Sequence, residues 1–199
     1  MISQIIILIT SPQLFNVALA VYYNEGRYEY RLRKKMTTEQ TNSLAARLEE
    51  LENRVRDLEA TDEIRNLKAE YAAACDDNYD PDRIAALFVE DATWESQGLG
   101  RFEGREAIRE FFRGISSHFV FALHYGLNPS IEVSGDTARA RWYLFMPCTV
   151  GENGQAMWRA GIDDEEYVRV NGKWMFKSKK SAPIFNTTYE QGWAKQRFV

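Results

Sequence analysis

Tyr71-Ala72-Ala73-Ala74-Cys75-Asp76-Asp77 closes a stretch of helical periodicity and sets a phenol, a thiol and two carboxylates at its end. On a helix, Tyr71 and Cys75 share a face, and Asp76 stands one position further round. A carboxylate held against that apolar face needs a partner, because an unpaired buried charge is costly. The chain has only 2 histidines, His118 and His124. His124 is the candidate partner for Asp76, so the fold must join two positions 48 residues apart.

Upstream of this stretch, Ile64, Leu67, Tyr71 and Ala74 recur at intervals of three and four residues and predict a helix running to Asp77. Before it, Leu44, Leu48, Leu51, Val55 and Leu58 form a short a/d seam with Glu and Arg between them, giving an amphipathic N-terminal helix over residues 37–60. Two heptads fit a coiled coil and a helix lying on its own domain equally well. The register changes phase between Ala60 and Asp62, where Thr61 or Asp62 is expected to cap the second helix.

Downstream, Asn78-Tyr79-Asp80-Pro81 reads as a turn, with Pro81 suited to start a helix over Asp82–Phe88. Asp91–Glu95 reads as a strand and Gly98–Gly100 as a turn, and Ala107, Ile108, Phe111 and Phe112 share one face of the next helix. From Gly114 the pattern is β. His118–Val133 reads as one strand broken at Pro129, followed by a Gly135-Asp136 hairpin turn and Thr137–Val150. Gln155–Val170 and, after Asn171-Gly172, Lys173–Phe185 complete a meander. Helices followed by a curved antiparallel sheet make an α+β layout, with residues 61–199 as the folded domain. Along Thr137–Met146, Ala138, Ala140, Trp142, Leu144 and Met146 form the expected inner face, and Arg139 and Arg141 the outer.

Composition narrows the function classes. With 199 residues there is room for one ordinary domain and an extension. A formal charge of −4, with no dense basic run outside residues 27–35, gives no footprint for nucleic acid. Cys75 and Cys148 lie far apart in no metal-type spacing, which fits free thiols in a reducing, cytoplasmic setting. Residues 1–36 are set apart as an extension. Ile2–Tyr23 is mostly apolar, but its basic segment follows rather than precedes it, the reverse of a secretory signal, although Ala18-Leu19-Ala20 resembles a cleavage site. Three origins stay open: an extension upstream of a start at Met36, which is preferred, a signal, or a membrane anchor, for which about 20 residues suffice.

The runs EYAAACDDNYDPDRIAALFVEDATW (70–94), FEGREAIREFF (102–112), HYGLNPSIEVSGDTARARWYL (124–144) and DEEYVRVNGKWMFKS (164–178) resemble the polyketide-cyclase-like (SnoaL-like) branch of the nuclear transport factor 2 superfamily. The resemblance spans roughly residues 42–190. It is greatest to a group that includes bile acid 7-alpha-dehydratase, scytalone dehydratase and hexachlorocyclohexane dehydrochlorinase. It implies a cone: a curved sheet wrapped around a long N-terminal helix, with the site in the mouth. It also implies an Asp at the end of the first helix orienting a His base, positions held here by Asp76 and His124. Tyr71 falls where the group carries a polar residue, and Trp94 where a first-strand side chain lines the pocket. Several members carry an Arg on the last strand. That place holds Pro183 or a near neighbour here, with Lys179 and Lys180 upstream.

The residues support the same chemistry on their own. A neutral imidazole is a usable base near neutral pH, and a carboxylate on its other nitrogen fixes the tautomer and stabilises the imidazolium. The expected catalytic set is Asp76, His124 and Tyr71, and the expected substrate contacts are Trp94, Trp142 and His118. Each has a plainer reading: Asp76 as a helix end, His118 as a strand entry, Tyr71 and the tryptophans as core. Cys75 reads as a buried thiol and Asp163–Glu166 as a solvated turn. No metal-ligand spacing, phosphate loop or nucleophile elbow is present. The expected function is a cofactor-independent lyase on a hydrophobic ring-containing small molecule, working without a metal, nucleic acid or membrane and as a homo-oligomer (dimer or trimer). The alternatives are an isomerase or cyclase with the same dyad, or a non-catalytic binding module such as a dioxygenase small subunit. An enclosed cone with the dyad in hydrogen-bond reach would favour the enzyme, and a filled cone the binding module.

Overall fold

The apolar periodicity around Tyr71 belongs to one helix, α1 (Thr38–Asp76), in a computed structural model that describes residues 37–151 and 154–199 and the backbone of residues 5–8 and 18–21. The chain divides into two compact units, residues 1–54 and 55–199. The first contains an antiparallel pair, β1 (Ile5–Leu8) with β2 (Ala18–Val21), and the start of α1. The origin proposed for residues 1–36 otherwise falls outside the described residues.

The expected cap at Thr61 or Asp62 is absent, since α1 continues through both. Thr61 Oγ1 donates to the Asp57 carbonyl at 2.8 Å, a bond one turn back that leaves the helical ladder intact. The seam residues Leu44 to Leu58 are more than half exposed. In the second unit α1 buries Ala60, Ile64, Leu67, Lys68, Tyr71, Ala74 and Cys75. This is the predicted face, with one lysine added.

Two consecutive left-handed residues, Asn78 (φ 55°) and Tyr79 (φ 54°), reverse the chain after Asp76. The backbone N–H groups of Tyr79 and Asp80 donate back to Cys75 and Ala74. Asp80 then caps helix α2 (Pro81–Ala85), accepting from the N–H groups of Asp82 and Arg83. This helix stops short of the expected Phe88, because strand β3 (Phe88–Ser96) takes Phe88 into the sheet, stacked 4.9 Å from Phe176. The Gly98 turn leads into a short strand, β4 (Gly100–Glu103), that the sequence reading missed, and then into α3 (Arg105–Ile115), which buries Ile108, Phe112 and Ile115.

The remaining strands are β5 (Phe119–Ala122), β6 (Tyr125–Ser134), β7 (Thr137–Val150), β8 (Gln155–Val170) and β9 (Lys173–Thr188), before a short α4 (Gly192–Lys195). The sheet order is β4-β3-β9-β8-β7-β5, with β6 also on β7. Its pairings are antiparallel except that of β3 with β9, which is parallel, so the expected antiparallel sheet is a mixed one. Register shifts within the β3–β9, β5–β7, β6–β7 and β8–β9 pairs bend the strands and curve the sheet into a half-barrel. The inward face of β7 is as expected, with Ala138, Ala140, Trp142 and Met146 buried.

The long strand expected over His118–Val133 breaks at Leu123–His124 and not at Pro129, which stays in β6 beside a bulge at left-handed Asn128. The break lets β5 and β6 share one edge of β7. Leu123 N–H still donates to the Pro147 carbonyl. In an antiparallel ladder a residue's N–H and C=O face the same neighbour, so the N–H that Pro147 lacks points into this corner, where no ladder bond is lost. His124 occupies the corner.

Candidate active site

His124 and Asp76 meet at that corner. Asp76 Oδ1 accepts from the His124 backbone N–H at 2.9 Å and lies 2.7 Å from His124 Nδ1. One carboxylate oxygen thus holds both the main chain and the ring. With the proton on Nδ1, Nε2 presents its lone pair, and the Tyr79 hydroxyl lies 3.4 Å from it. Tyr79 is buried, edge-on to the imidazole at 5.5 Å and near Phe112 and Phe119. Burial pushes its phenol well above the ordinary value, so it stays a donor.

A cavity of about 410 Å³ opens inside the sheet. Its walls include Tyr71, Tyr79, Trp94, Phe112, His118, Phe119, His124 and Met146. His124 also borders a smaller recess that contains Asp76 and Trp142, so the imidazole stands between its carboxylate and the cavity. Asp76, His124, Tyr71, Trp94 and His118 are therefore gathered at or behind the cavity wall. Trp142 is placed outside it. Its indole N–H donates to Tyr167 at 3.2 Å, and the Lys68 ammonium lies 5.6 Å from its ring, which wedges it under the helix.

Tyr71 is buried and accepts from Trp94 Nε1 at 3.0 Å. Burial raises its pKa well above the usual phenol value and pushes the neighbouring Cys75 thiol to about 12. Cys75 is therefore a protonated buried thiol and not a nucleophile.

Asp163–Glu166 are not a solvated turn. They lie in the middle of β8, where alternate side chains face opposite ways. Asp164 and Glu166 face out and pair with Arg141 and Arg139. Asp163 and Glu165 face in, fully buried, and each pairs with both Lys68 and Lys179. Ser181 donates to Asp163, and Tyr167 donates to Glu165. Burial by itself would raise the Asp163 pKa, but the attraction of Lys179 and Lys68 outweighs it and holds the carboxyl well below the usual range. Two cations and two anions cancel at the cavity floor, where Lys68, Asp163 and Lys179 contribute to the wall. Lys179 thus sits, already neutralised, four residues before Pro183, which is itself in the wall.

The SnoaL-like domain family matches over residues 56–180. The chain belongs to this family. Among relatives of this SnoaL-like protein, gamma-hexachlorocyclohexane dehydrochlorinase of Sphingobium indicum is 28% identical over 107 residues, 53% of this chain and 69% of that protein. The crystal structure of a type 2 hexachlorocyclohexane dehydrochlorinase superposes with a TM-score of 0.63 at 23% identity, covering 67% of this chain and 91% of that one. A Novosphingobium aromaticivorans protein assigned as a scytalone dehydratase superposes with a TM-score of 0.62 at 26% identity, covering 67% of this chain and 89% of that one. These likenesses agree with the cone fold expected of a nuclear transport factor 2-like chain.

Several cavity residues of this SnoaL-like domain escaped the sequence reading. Tyr79 reads in sequence as part of a turn, and nothing local signals that it points inward. Lys68 falls three residues before Tyr71, on the buried face, where an ionisable residue among apolar ones was a readable signal. Asp163 and Glu165 were readable too, as alternate members of a strand that continues to Tyr167. Arg159 and Asn186, cross-strand partners on β8 and β9, line the cavity as well. Among the described residues no group of three or more His, Cys, Asp or Glu side chains is placed to hold a metal ion. No described helix is long and apolar enough to cross a membrane.

Proposed function

We propose that this SnoaL-like protein is a cofactor-independent lyase acting on a hydrophobic, ring-containing small molecule. His124 Nε2 removes a proton from carbon, the C–H electron pair becomes the new π bond, and a hydroxyl or halide on the adjacent carbon leaves with its bonding pair; in the aldehyde-releasing variant the proton comes from a hydroxyl, its O–H pair forms the C=O of the departing aldehyde, and the C–C pair stays on the ring fragment. Asp76 holds the ring in the required tautomer and stabilises the imidazolium. Tyr71, kept protonated by burial, is the hydrogen-bond donor to the substrate, and Trp94 and His118 are wall contacts.

The observation that carries this reading is His124 Nδ1 at 2.7 Å from Asp76, with the ring in the wall of an open cavity of about 410 Å³. A cone that holds a cavity of this size supports an enzyme over a binding module, for which a filled cone is the expectation. The names of the relatives, dehydrochlorinases and a scytalone dehydratase, support elimination over isomerisation. The reading includes a homo-oligomer, supported by the exposed apolar residues Leu127, Tyr125 and Tyr143 on the sheet and by the seam of α1.

The test is turnover of ring compounds bearing a hydroxyl or halide beside an acidic C–H. His124→Asn and Asp76→Asn should each lower kcat by about 10² or more while thermal melting stays near wild type. Turnover within about threefold of wild type in either variant would defeat the dyad reading.

A further inference from the structure

The charges in and behind the cavity wall do not all cancel. Lys68, Lys179, Asp163 and Glu165 neutralise one another, and Asp76 is committed to His124. Arg159 remains. It lies half-buried in the cavity wall, and among the described residues no carboxylate comes within ion-pair distance of it. Its guanidinium carbon sits 5.1 Å from the centre of the Phe119 ring, so it lies against an aromatic face. A guanidinium stacked this way keeps the edge of its fork free for a planar anion.

A second observation comes from the opposite strand. Asn186, the cross-strand partner of Arg159, also lines the cavity, and its side-chain oxygen is buried with no hydrogen-bond partner. Leaving such a group unpaired is unfavourable, and native structures rarely do so without a reason. A primary amide carries both donors and acceptors, so a half-turn offers either its N–H groups to an anion or its oxygen to a ligand hydroxyl.

We infer that Arg159 and Asn186 form a subsite for the carboxylate of a ring-containing, monoanionic ligand. A carboxylate matches the guanidinium fork with two parallel hydrogen bonds and cancels its single charge. A phosphate dianion would leave one charge uncompensated between apolar walls. The rings of Phe119 and Tyr79 stand between Arg159 and His124, with centroid separations of 5.8 Å and 5.5 Å along that series. A ligand anchored at Arg159 therefore lays its ring along these aromatics, toward Nε2. The inference rests on the proposed function only in taking this cavity as the substrate site.

The test is isothermal titration of the full chain with 2-naphthoate and with its neutral isostere 2-naphthamide. Wild type should bind the carboxylate about tenfold or more tighter than the amide, as expected for one charge-assisted pair. Arg159→Met should bring the two to near parity with amide affinity unchanged, which also shows that the cavity is intact, and Arg159→Lys should retain part of the preference. Equal wild-type affinities, a preference that survives Arg159→Met, or no binding of 2-naphthoate would overturn the subsite. His124→Asn should keep the preference. Loss of the preference with turnover still dependent on His124 sinks the subsite alone, and the converse sinks the lyase reading alone.

Discussion

At the scale of single residues, the site depends on a corner in the chain. Asp76 Oδ1 accepts from both the main chain and the ring of His124, so a change at Asp76 disturbs the base in two ways. Tyr79 reaches Nε2 from below through a left-handed backbone (φ 54°), a conformation unfavourable for a bulky side chain and kept here by aromatic packing. Tyr79→Phe keeps that packing and removes only the hydroxyl, so turnover should fall by no more than about tenfold, well short of the loss expected at His124. Tyr79→Ala should instead destabilise the fold by about 3 to 5 kcal/mol, as for other large buried aromatics. Urea denaturation separates the two. If Tyr79→Phe matched His124→Asn in lost activity, the hydroxyl would have a direct part in the chemistry.

At the scale of elements, β8 shows how one strand serves both faces of the sheet. Asp164 and Glu166 meet arginines at the surface, and Asp163 and Glu165 meet lysines from α1 and β9 inside. Exposed pairs of the first kind contribute little. The inner quartet ties α1 to the sheet, and removing one member leaves a buried charge without full compensation. Asp163→Asn should therefore cost about 3 to 5 kcal/mol, whereas Asp164→Asn should change stability by less than about 1 kcal/mol. Chemical denaturation of the two variants makes the comparison, and equal losses would show that the quartet contributes no more than a surface pair. The charged run was legible as sequence. Reading it as a turn failed because four acidic residues suggest solvent unless the alternation beginning at Asp163 and continuing to Tyr167 is given precedence.

At the scale of the whole molecule, the quartet sets a pH window. The folded pKa of Asp163 is held below its unfolded value of about 3.9, so its contribution is present above that pH and is lost as pH falls toward the folded value. Burial alone would lower the pKa of Lys68, but Asp163 and Glu165 raise it above its unfolded value of about 10.4. Its contribution is present below that pH and is lost as pH rises through the folded value. Calorimetric melting temperatures should thus be insensitive to this network between about pH 5 and 9 and fall on the acid side, with a shallower acid slope in Asp163→Asn. An acid slope unchanged in that variant would show that other carboxylates govern it.

Periodicity and residue type by themselves determined the helix through Tyr71, the meander with its Asn171-Gly172 turn, the inward face of β7 and the candidacy of Asp76 and His124, because each is a local pattern of spacing or one rare residue type. Only the tertiary structure decided that the strand breaks at His124 and not at Pro129, that β3 lies parallel to β9, that two lysines neutralise two buried acids, and that Arg159 lines the cavity with no carboxylate within ion-pair distance among the described residues. Those outcomes depend on which strand edges compete for β7 and on which charges meet across 95 or 97 residues of chain. Sequence spacing carries no information about either until the sheet has closed.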